Sequence, residues 1–434
     1  MTVSLLAQPM NLLRNKYCLL SVIFLLTIFI VKPAVNHVLA VLPADANSDG
    51  KVDGLDYVIW LNNYNQTVAQ GAIKGDFDNS GLVDGLDYVI WLNNYDIAGL
   101  SPTPHTTNPP TPTVSSPGTP FRPFISLNIS SSEIAFNVNG AGSNIDSIAF
   151  WETPDHAKSL MFVTSKSTNL VEVWNYPFKQ SADQLPPIQN NSCMNSSGTN
   201  GVIVDQEDDL LFVTTRYGNR VCVFGLPGLN LVRTVTTGAS GSWDEPNLAL
   251  LKLGDGQKNL YISYNSKVYI HNALTGAAIS QFTPQKGLET MFGDNFYREI
   301  YIPDEAGMSG IYRYDSSGTF KGSFGGSSVF NADEEGIWVY SCPSSGTGDN
   351  GDGLIIVSDQ LSPVTDFEVF NRKTKEHLGK ININGVSNTD GISISQQSSP
   401  LYPKGLLAVL NNDSSVTGVG WDTIFQKLGM ACPN

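Results

Sequence analysis

The sequence predicts a mostly β chain: a six-bladed β-propeller preceded by a small α-helical module. A strand–turn–strand signature recurs six times over the last 310 or so residues, with starts 40 to 54 residues apart, which is the length of one four-stranded blade. Each recurrence alternates with period two and is rich in β-branched and aromatic residues. Composition agrees, because 40 glycines, 10% aromatic and only 15% charged residues suit a β-rich protein better than a helical one.

The six signatures pair Leu160-Met161-Phe162-Val163 with Val171-Glu172-Val173-Trp174, Leu210-Leu211-Phe212-Val213 with Val221-Cys222-Val223-Phe224, and Leu260-Tyr261-Ile262 with Val268-Tyr269-Ile270. Then come Ile300-Tyr301-Ile302 with Ile311-Tyr312-Arg313-Tyr314, Leu354-Ile355-Ile356-Val357 with Phe367-Glu368-Val369-Phe370, and Leu406-Leu407-Ala408-Val409 with a degenerate partner. Each is preceded by a shorter apolar stretch, the candidate for the strand lining a central channel. Before Ile148, Val202, Leu248, Met291, Ile337 and Ile392 stand Asp146, Asn200, Pro246, Glu289, Glu335 and Asp390, four of them acidic. Neighbouring blade strands run antiparallel, so the start of the first strand and the turn after the second share one face. Those turns carry Lys166, Arg216, Asp304 with Glu305, and Asp359 with Gln360, while Asp333 lies two residues before Glu335. One mouth of the channel should therefore concentrate carboxylates beside Lys166 and Arg216. Carboxylates that close repel one another unless cations sit among them, which predicts a calcium cluster. Asp349-Asn350-Gly351-Asp352-Gly353 reads instead as a flexible hairpin tip.

The helical module rests on two loops 31 residues apart. The first offers Asp45, Asn47, Asp49, Lys51 through its backbone carbonyl, Asp53 and Asp56; the second offers Asp76, Asp78, Ser80, Leu82 through its carbonyl, Asp84 and Asp87. These are loop positions 1, 3, 5, 7, 9 and 12, with Gly50 and Gly81 at position 6, the spacing by which a 12-residue loop ligates Ca²⁺. Residues 52–64 recur unchanged at 83–95, and each loop runs into a segment with Val58 and Leu61, or Val89 and Leu92, at helical spacing. Position 12 is Asp rather than Glu, and the helix before each loop is short or missing. In those features the module resembles the duplicated loop–helix repeat of bacterial dockerins, which implies a cohesin-like protein partner for residues 43–98.

Flanking segments set the boundaries. Arg14 and Lys16 precede an apolar run from Tyr17 to Val31, and Val38-Leu39-Ala40 offers a small-residue cleavage site. That run is shorter than the roughly 20 residues of a bilayer span, so residues 1–40 read as an export signal, with an uncleaved anchor as the alternative. Residues 41–100 form the calcium module, the Pro/Thr-rich stretch 101–123 a semi-rigid spacer, and 124–434 the propeller. Export implies a secreted or extracellular protein, or one associated with the cell surface. Cys193, Cys222, Cys342 and Cys432 would then meet oxidising conditions, with three pairings open. A net charge of −15 argues against nucleic acid as a partner, and lets a polyanion bind only at a local patch of cations or bound metal.

In the propeller region the sequence resembles the β-propeller phytases. Asp333-Glu334-Glu335-Gly336 is similar to that family's Asp-x-Glu-Gly calcium motif, and Leu288-Glu289-Thr290-Met291 followed by Tyr301-Ile302-Pro303-Asp304-Glu305 to its Glu-Gly-Met and Tyr-Ile-x-Glu-Glu stretch. Ser358-Asp359-Gln360, Thr389-Asp390-Gly391-Ile392 and Tyr402-Pro403-Lys404-Gly405 match later segments in the same order. Lys166 and Arg216 fall where the family places phosphate-binding cations. The chain departs from the pattern at Ile145, Ser167 and Pro246, which stand for an Asp, a Lys and a Tyr, and Lys267 is the nearest match to a further Lys. The resemblance implies Ca²⁺ held by Asp146, Glu289, Glu305, Asp333, Glu335, Gln360 and Asp390. It also implies a calcium-dependent phosphomonoesterase acting on phytate or a related phosphate ester, with water attacking phosphorus and Lys166 and Arg216 stabilising the charge. No Gly-x-Ser-x-Gly elbow, Walker loop or convincing Cys/His pair competes with that chemistry. The alternatives are a non-catalytic calcium-binding propeller that binds a ligand or partner, and another calcium-dependent propeller hydrolase such as a lactonase.

Overall fold

Continuous apolar runs such as Leu211-Phe212-Val213 are buried throughout, because an inner blade strand is covered on both faces by neighbouring blades. The computed structural model describes residues 43–432, except 69–70, 95–120, 141–143, 177–182, 195–197, 240–244, 255, 306 and 344–347. The expected export signal and most of the spacer lie outside the described residues. The chain divides into two compact units, Met1–Pro112 and Thr113–Asn434.

The larger unit is a six-bladed β-propeller. Blades one to six begin with the strands Ile145–Trp151, Thr199–Asp205, Leu248–Gly254, Phe292–Asp294, Glu334–Pro343 and Ile392–Ser395. Each of the first five continues outward through three more antiparallel strands in sequence order. Blade six is completed from the other end of the domain, because Phe136–Asn139 pairs with Ser415–Gly420 and so closes the ring. Ser126–Ile129 adds a parallel fifth strand beside His377–Ile383 in blade five. Burial falls outward along each blade. The fourth strand of blade three, Ala278–Phe282, is exposed along most of its length.

Adjacent blades meet through apolar seams, for example Trp151, Phe162, Val202, Leu211 and Phe224 between blades one and two. Cys193–Cys222 joins the end of blade one to blade two, and Cys342–Cys432 ties the C-terminus to blade five, which resolves the pairing left open by the sequence. The C-terminal helix Trp421–Leu428 buries Trp421, Ile424, Phe425 and Leu428, one stripe at helical spacing. It ends at Gly429, whose left-handed backbone (φ 59°) is the usual helix stop. Phe121 stacks on Phe425, and Arg122 donates to the Leu428 carbonyl, so the chain is held against the domain from residue 121 onward.

The segment expected to be a flexible hairpin tip is not one. Asp349 to Gly353 begins the long strand Asp349–Asp359, and Asp349 takes two hydrogen bonds at 2.6 and 2.7 Å from the buried guanidinium of Arg372, which also grips Asp294.

In the smaller unit, helices Gly54–Asn63 and Gly85–Asn94 follow the two loops. Trp60 Nε1 donates to the Asp84 carbonyl at 2.9 Å, and Trp91 Nε1 donates reciprocally to that of Asp53 at 3.0 Å. The repeated sequence thus makes a two-fold-like pair. Trp60 and Trp91 are buried between the helices, while Leu55, Val58 and Leu61, with their counterparts Leu86, Val89 and Leu92, are exposed.

Candidate functional site

At the start of blades one, two and five the register slips by one residue, between Ile145 and Ile148, Thr199 and Val202, and Glu334 and Ile337. This bulge breaks the strict alternation of a strand and lets one residue turn toward the mouth. Hydroxyl groups on the second strands hold it. Thr164, Thr214 and Ser358 accept from the N–H of Ser147, Gly201 and Gly336 at 3.1, 2.7 and 2.7 Å. Thr164 and Thr214 also donate to the carbonyls of Asn200 and Pro246 on the next blade. Glycine then permits the close approach of neighbouring blades: a Cβ on Gly391 would stand 2.3 Å from the Asp146 carbonyl oxygen, and one on Gly336 2.8 Å from that of Asp390.

These devices bring acidic side chains from four blades around one cation. Lys166 Nζ lies 3.0 Å from Asp146, 3.1 Å from Glu245, 3.2 Å from Glu289 and 3.9 Å from Asp390. The lysine is only 7% exposed. Burial works against its charge, but Asp146, Glu289, Asp390 and Glu245 outweigh burial and hold its pKa above the ordinary lysine range. One ammonium does not neutralise the group. Burial, opposed by Lys166, pushes the Glu289 carboxyl up to about 7, with Glu305 and Asp146 adding repulsion. Asp390 rises to about 8 through burial and the charge of Asp146. Glu335 is raised well above the usual range by burial, then by Glu289 and Asp390. Burial also raises Glu305.

The remaining expected ligands divide. Gln360 donates to Asp390 at 2.5 Å, inside the cluster. Asp333 sits on the exposed rim, its carbonyl accepting from Gln360 N–H at 3.0 Å and its charge helping to raise Glu305. Arg216 donates to the Lys166 carbonyl at 2.7 Å, with its guanidinium 5.2 Å from the Tyr217 ring centre. Glu334 faces away from the channel and accepts from Asp304 and Gly310 N–H at 2.8 and 2.9 Å, which fixes the turn carrying Glu305.

Two acidic residues join the site that the sequence reading missed. Glu245 places a carboxylate oxygen within 4.8 Å of oxygens on Glu289 and Glu305. Asp413, on the last turn of blade six, hydrogen-bonds with Asp390 and feels the charges of Lys166 and Asp146. Its Oδ1 is buried without a partner among the described residues, as are both amide atoms of Asn200, which holds in blade two the position that Asp146 holds in blade one. An all-oxygen donor set with orphaned oxygens fits a hard cation such as Ca²⁺.

The loops of the smaller unit fit the same ion. Asp56 Oδ1 accepts from Ala46 and Asn47 N–H at 2.8 and 3.1 Å, and its Oδ2 accepts from Asp53 at 2.8 Å. Asp87 repeats this with Phe77, Asp78 and Asp84 at 2.6, 3.1 and 2.8 Å. Asp45 accepts from Asp49 and Gly50 N–H, and Asn47 and Asp49 order the turn between them. Asp53 caps the first helix at Leu55 N–H, and Asp84 contacts Leu86 N–H in the same way. Ser80 bonds with the Leu82 backbone, while Lys51 is exposed and offers only its backbone carbonyl to the loop. Asp76, Asp78 and Asp87 present oxygens within 4.8 Å of one another, and Asp76 Oδ1 is buried and unpartnered among the described residues.

No family model matches this chain, and no curated protein matches it.

Proposed function

We propose that this chain is a secreted calcium-dependent phosphomonoesterase of phytase type, acting on phytate or a related phosphate ester and attached to a protein partner through a dockerin-like module. The observation that carries the reading is the convergence of Asp146, Glu245, Glu289 and Asp390 on one point, with Glu305, Glu335 and Gln360 beside them. A site so acidic repels phosphate unless metal ions reverse its charge, and calcium held there would supply both that reversal and an activated water. Lys166 and Arg216 would bind equatorial phosphate oxygens, orient the ester and stabilise the negative charge of the transition state. Asp146, Glu289, Glu305, Glu335, Asp390 and the Gln360 carbonyl would hold the metal, with Asp333 at the rim.

Two observations favour a second reading, a calcium-binding propeller without turnover. Lys166 is engaged by carboxylates, and Pro246 stands where the resemblance implies a tyrosine. Phosphate release from phytate by the wild-type chain, with calcium and with chelator, separates the two. The esterase reading expects calcium-dependent release, reduced roughly 10- to 100-fold in Arg216→Met, the loss of one charge-assisted contact worth about 1.5–3 kcal/mol. No release in calcium leaves the binding module.

A further inference from the structure

The cation that should face substrate is turned inward. Lys166 Nζ occupies the point on which carboxylates of blades one, three, four and six converge, at 3.0 to 3.9 Å. An ammonium has only three N–H groups to share among those four carboxylates. A calcium ion would take 6–8 oxygens at about 2.3–2.6 Å, so the oxygens of Asp146, Glu245 and Glu289 need close in by only about half an ångström and that of Asp390 by rather more. The two cations compete for one set of donors and carry like charge, so both cannot be held at that point.

We propose that Lys166 is a tethered placeholder, which holds the carboxylates together until calcium displaces it and turns its ammonium outward, where it meets the phosphoryl group. The inference rests on the calcium-dependent reading of the mouth. It assigns Lys166 a second role, in which calcium both builds the anion site and releases the side chain that completes it.

The backbone is arranged so that only the side chain need move. Lys166 N–H donates to the Asn144 carbonyl at 2.8 Å, and its own carbonyl accepts from Arg216 at 2.7 Å. The carbonyl also lies 2.3 Å from where a Cβ on Gly198 would stand, so that glycine is needed for the approach. With the main chain pinned on both sides, the four rotatable bonds of the lysine stem supply the travel. The exchange also removes the obstacle noted above, because the lysine leaves its carboxylates only when a divalent ion takes its place.

Brief acetylation of the full-length wild-type chain, read at Lys166 by peptide mass spectrometry, tests this directly. A rise in the outward population from about one in a hundred to one in ten or more makes Lys166 label about tenfold faster, or more, in millimolar calcium than in chelator. Lys158 and Lys373, with side chains 71% and 66% exposed, serve as unchanged standards. Labelling that is flat, or slower in calcium, overturns the proposal. Calcium titration of Lys166→Met beside wild type then shows which step failed. If the mouth takes calcium with Lys166 left in place, the variant binds calcium differently from wild type while wild-type labelling stays flat. If the mouth takes none, the two titrations coincide and the calcium reading falls as well.

Discussion

Protons and calcium should compete at the propeller mouth, and the sign can be worked from the raised carboxyls. Glu289 moves from its ordinary 4.5 to about 7, and Asp390 from 3.8 to about 8. In the metal-free chain the folded state therefore keeps protons that the unfolded state has released. Stability from these groups is fully present below about pH 4 and is lost as pH rises through 7 to 8. At about 1.4 kcal/mol per pKa unit, Glu289 alone is destabilised on the order of 3 kcal/mol by pH 8. Lys166 stays charged across the window, since its pKa lies above the ordinary range. Calcium needs both carboxylates ionised, so loading the mouth expels their protons. Isothermal titration of calcium in two buffers of different ionisation enthalpy counts them. We expect at least two protons released at pH 6, with Glu335 adding to those of Glu289 and Asp390, and fewer at pH 9, with affinity rising between pH 6 and 8. Glu334, also pushed to about 7 by burial but bonded away from the mouth, adds to the pH dependence of melting without being a ligand, so the proton count and not the melting curve is the readout. Proton release that is absent, or the same at pH 6 and 9, would falsify the placement of calcium among Glu289 and Asp390.

Two further outcomes follow from the same geometry. Gly391→Ala places a methyl 2.3 Å from the Asp146 carbonyl, so it should cost about 1–3 kcal/mol in urea unfolding and weaken calcium binding at the mouth; wild-type stability would show that the seam between blades six and one yields freely. For a fragment spanning residues 41–100, chelator should remove the helical circular dichroism and calcium restore it, because so small a core depends on its metal for folding free energy. A spectrum unchanged in excess chelator would refute the loop assignment.

Much of the propeller was legible because its inner strands are buried on both faces and therefore carry uninterrupted β-branched and aromatic runs. Leu210–Thr215 and Arg220–Gly225, for instance, fall on the predicted second and third strands of blade two. Outer strands were not legible. Ala278–Phe282 and Phe320–Phe324 are largely exposed, so water rather than a core sets their composition and no alternation survives to be read. Phe136–Asn139 was invisible for another reason: it belongs to blade six but precedes blade one in sequence, and closure of a ring has no local signature. In the helical module, helical spacing picks out Val58 and Leu61, yet the packing is done by Tyr57 and Trp60 against Tyr88 and Trp91. Both faces of that helix are apolar, and periodicity cannot say which one is covered. That face, with its copy at Val89 and Leu92, is left exposed, while replacement of Trp60 or Trp91 would damage the fold itself.

The site shows how far one positional rule carries. Reading only the residue before each inner strand finds Asp146, Glu289, Glu335 and Asp390; a bulge turns that position toward the mouth at Asp146 and Glu335, while Glu289 and Asp390 precede strands of regular register. In blade three the position is Pro246, which has no side-chain donor or acceptor and cannot serve. The carboxylate comes instead from Glu245, one residue earlier, which reaches Lys166 at 3.1 Å. Asp413 obeys the companion rule that turns after second strands share the mouth face, but the degenerate end of the sixth repeat hid the turn that carries it. Both residues place a carboxylate in a site where the chain departs from the pattern it resembles: Glu245 beside the proline of blade three, Asp413 beside Asp146, whose preceding residue is Ile145. Departures at Ile145 and Pro246 therefore do not leave the mouth poorer in oxygen ligands. Glu245 adjoins Pro246 in the chain and Asp413 is brought beside Asp146 by the fold, so the need for a cation among these carboxylates stands.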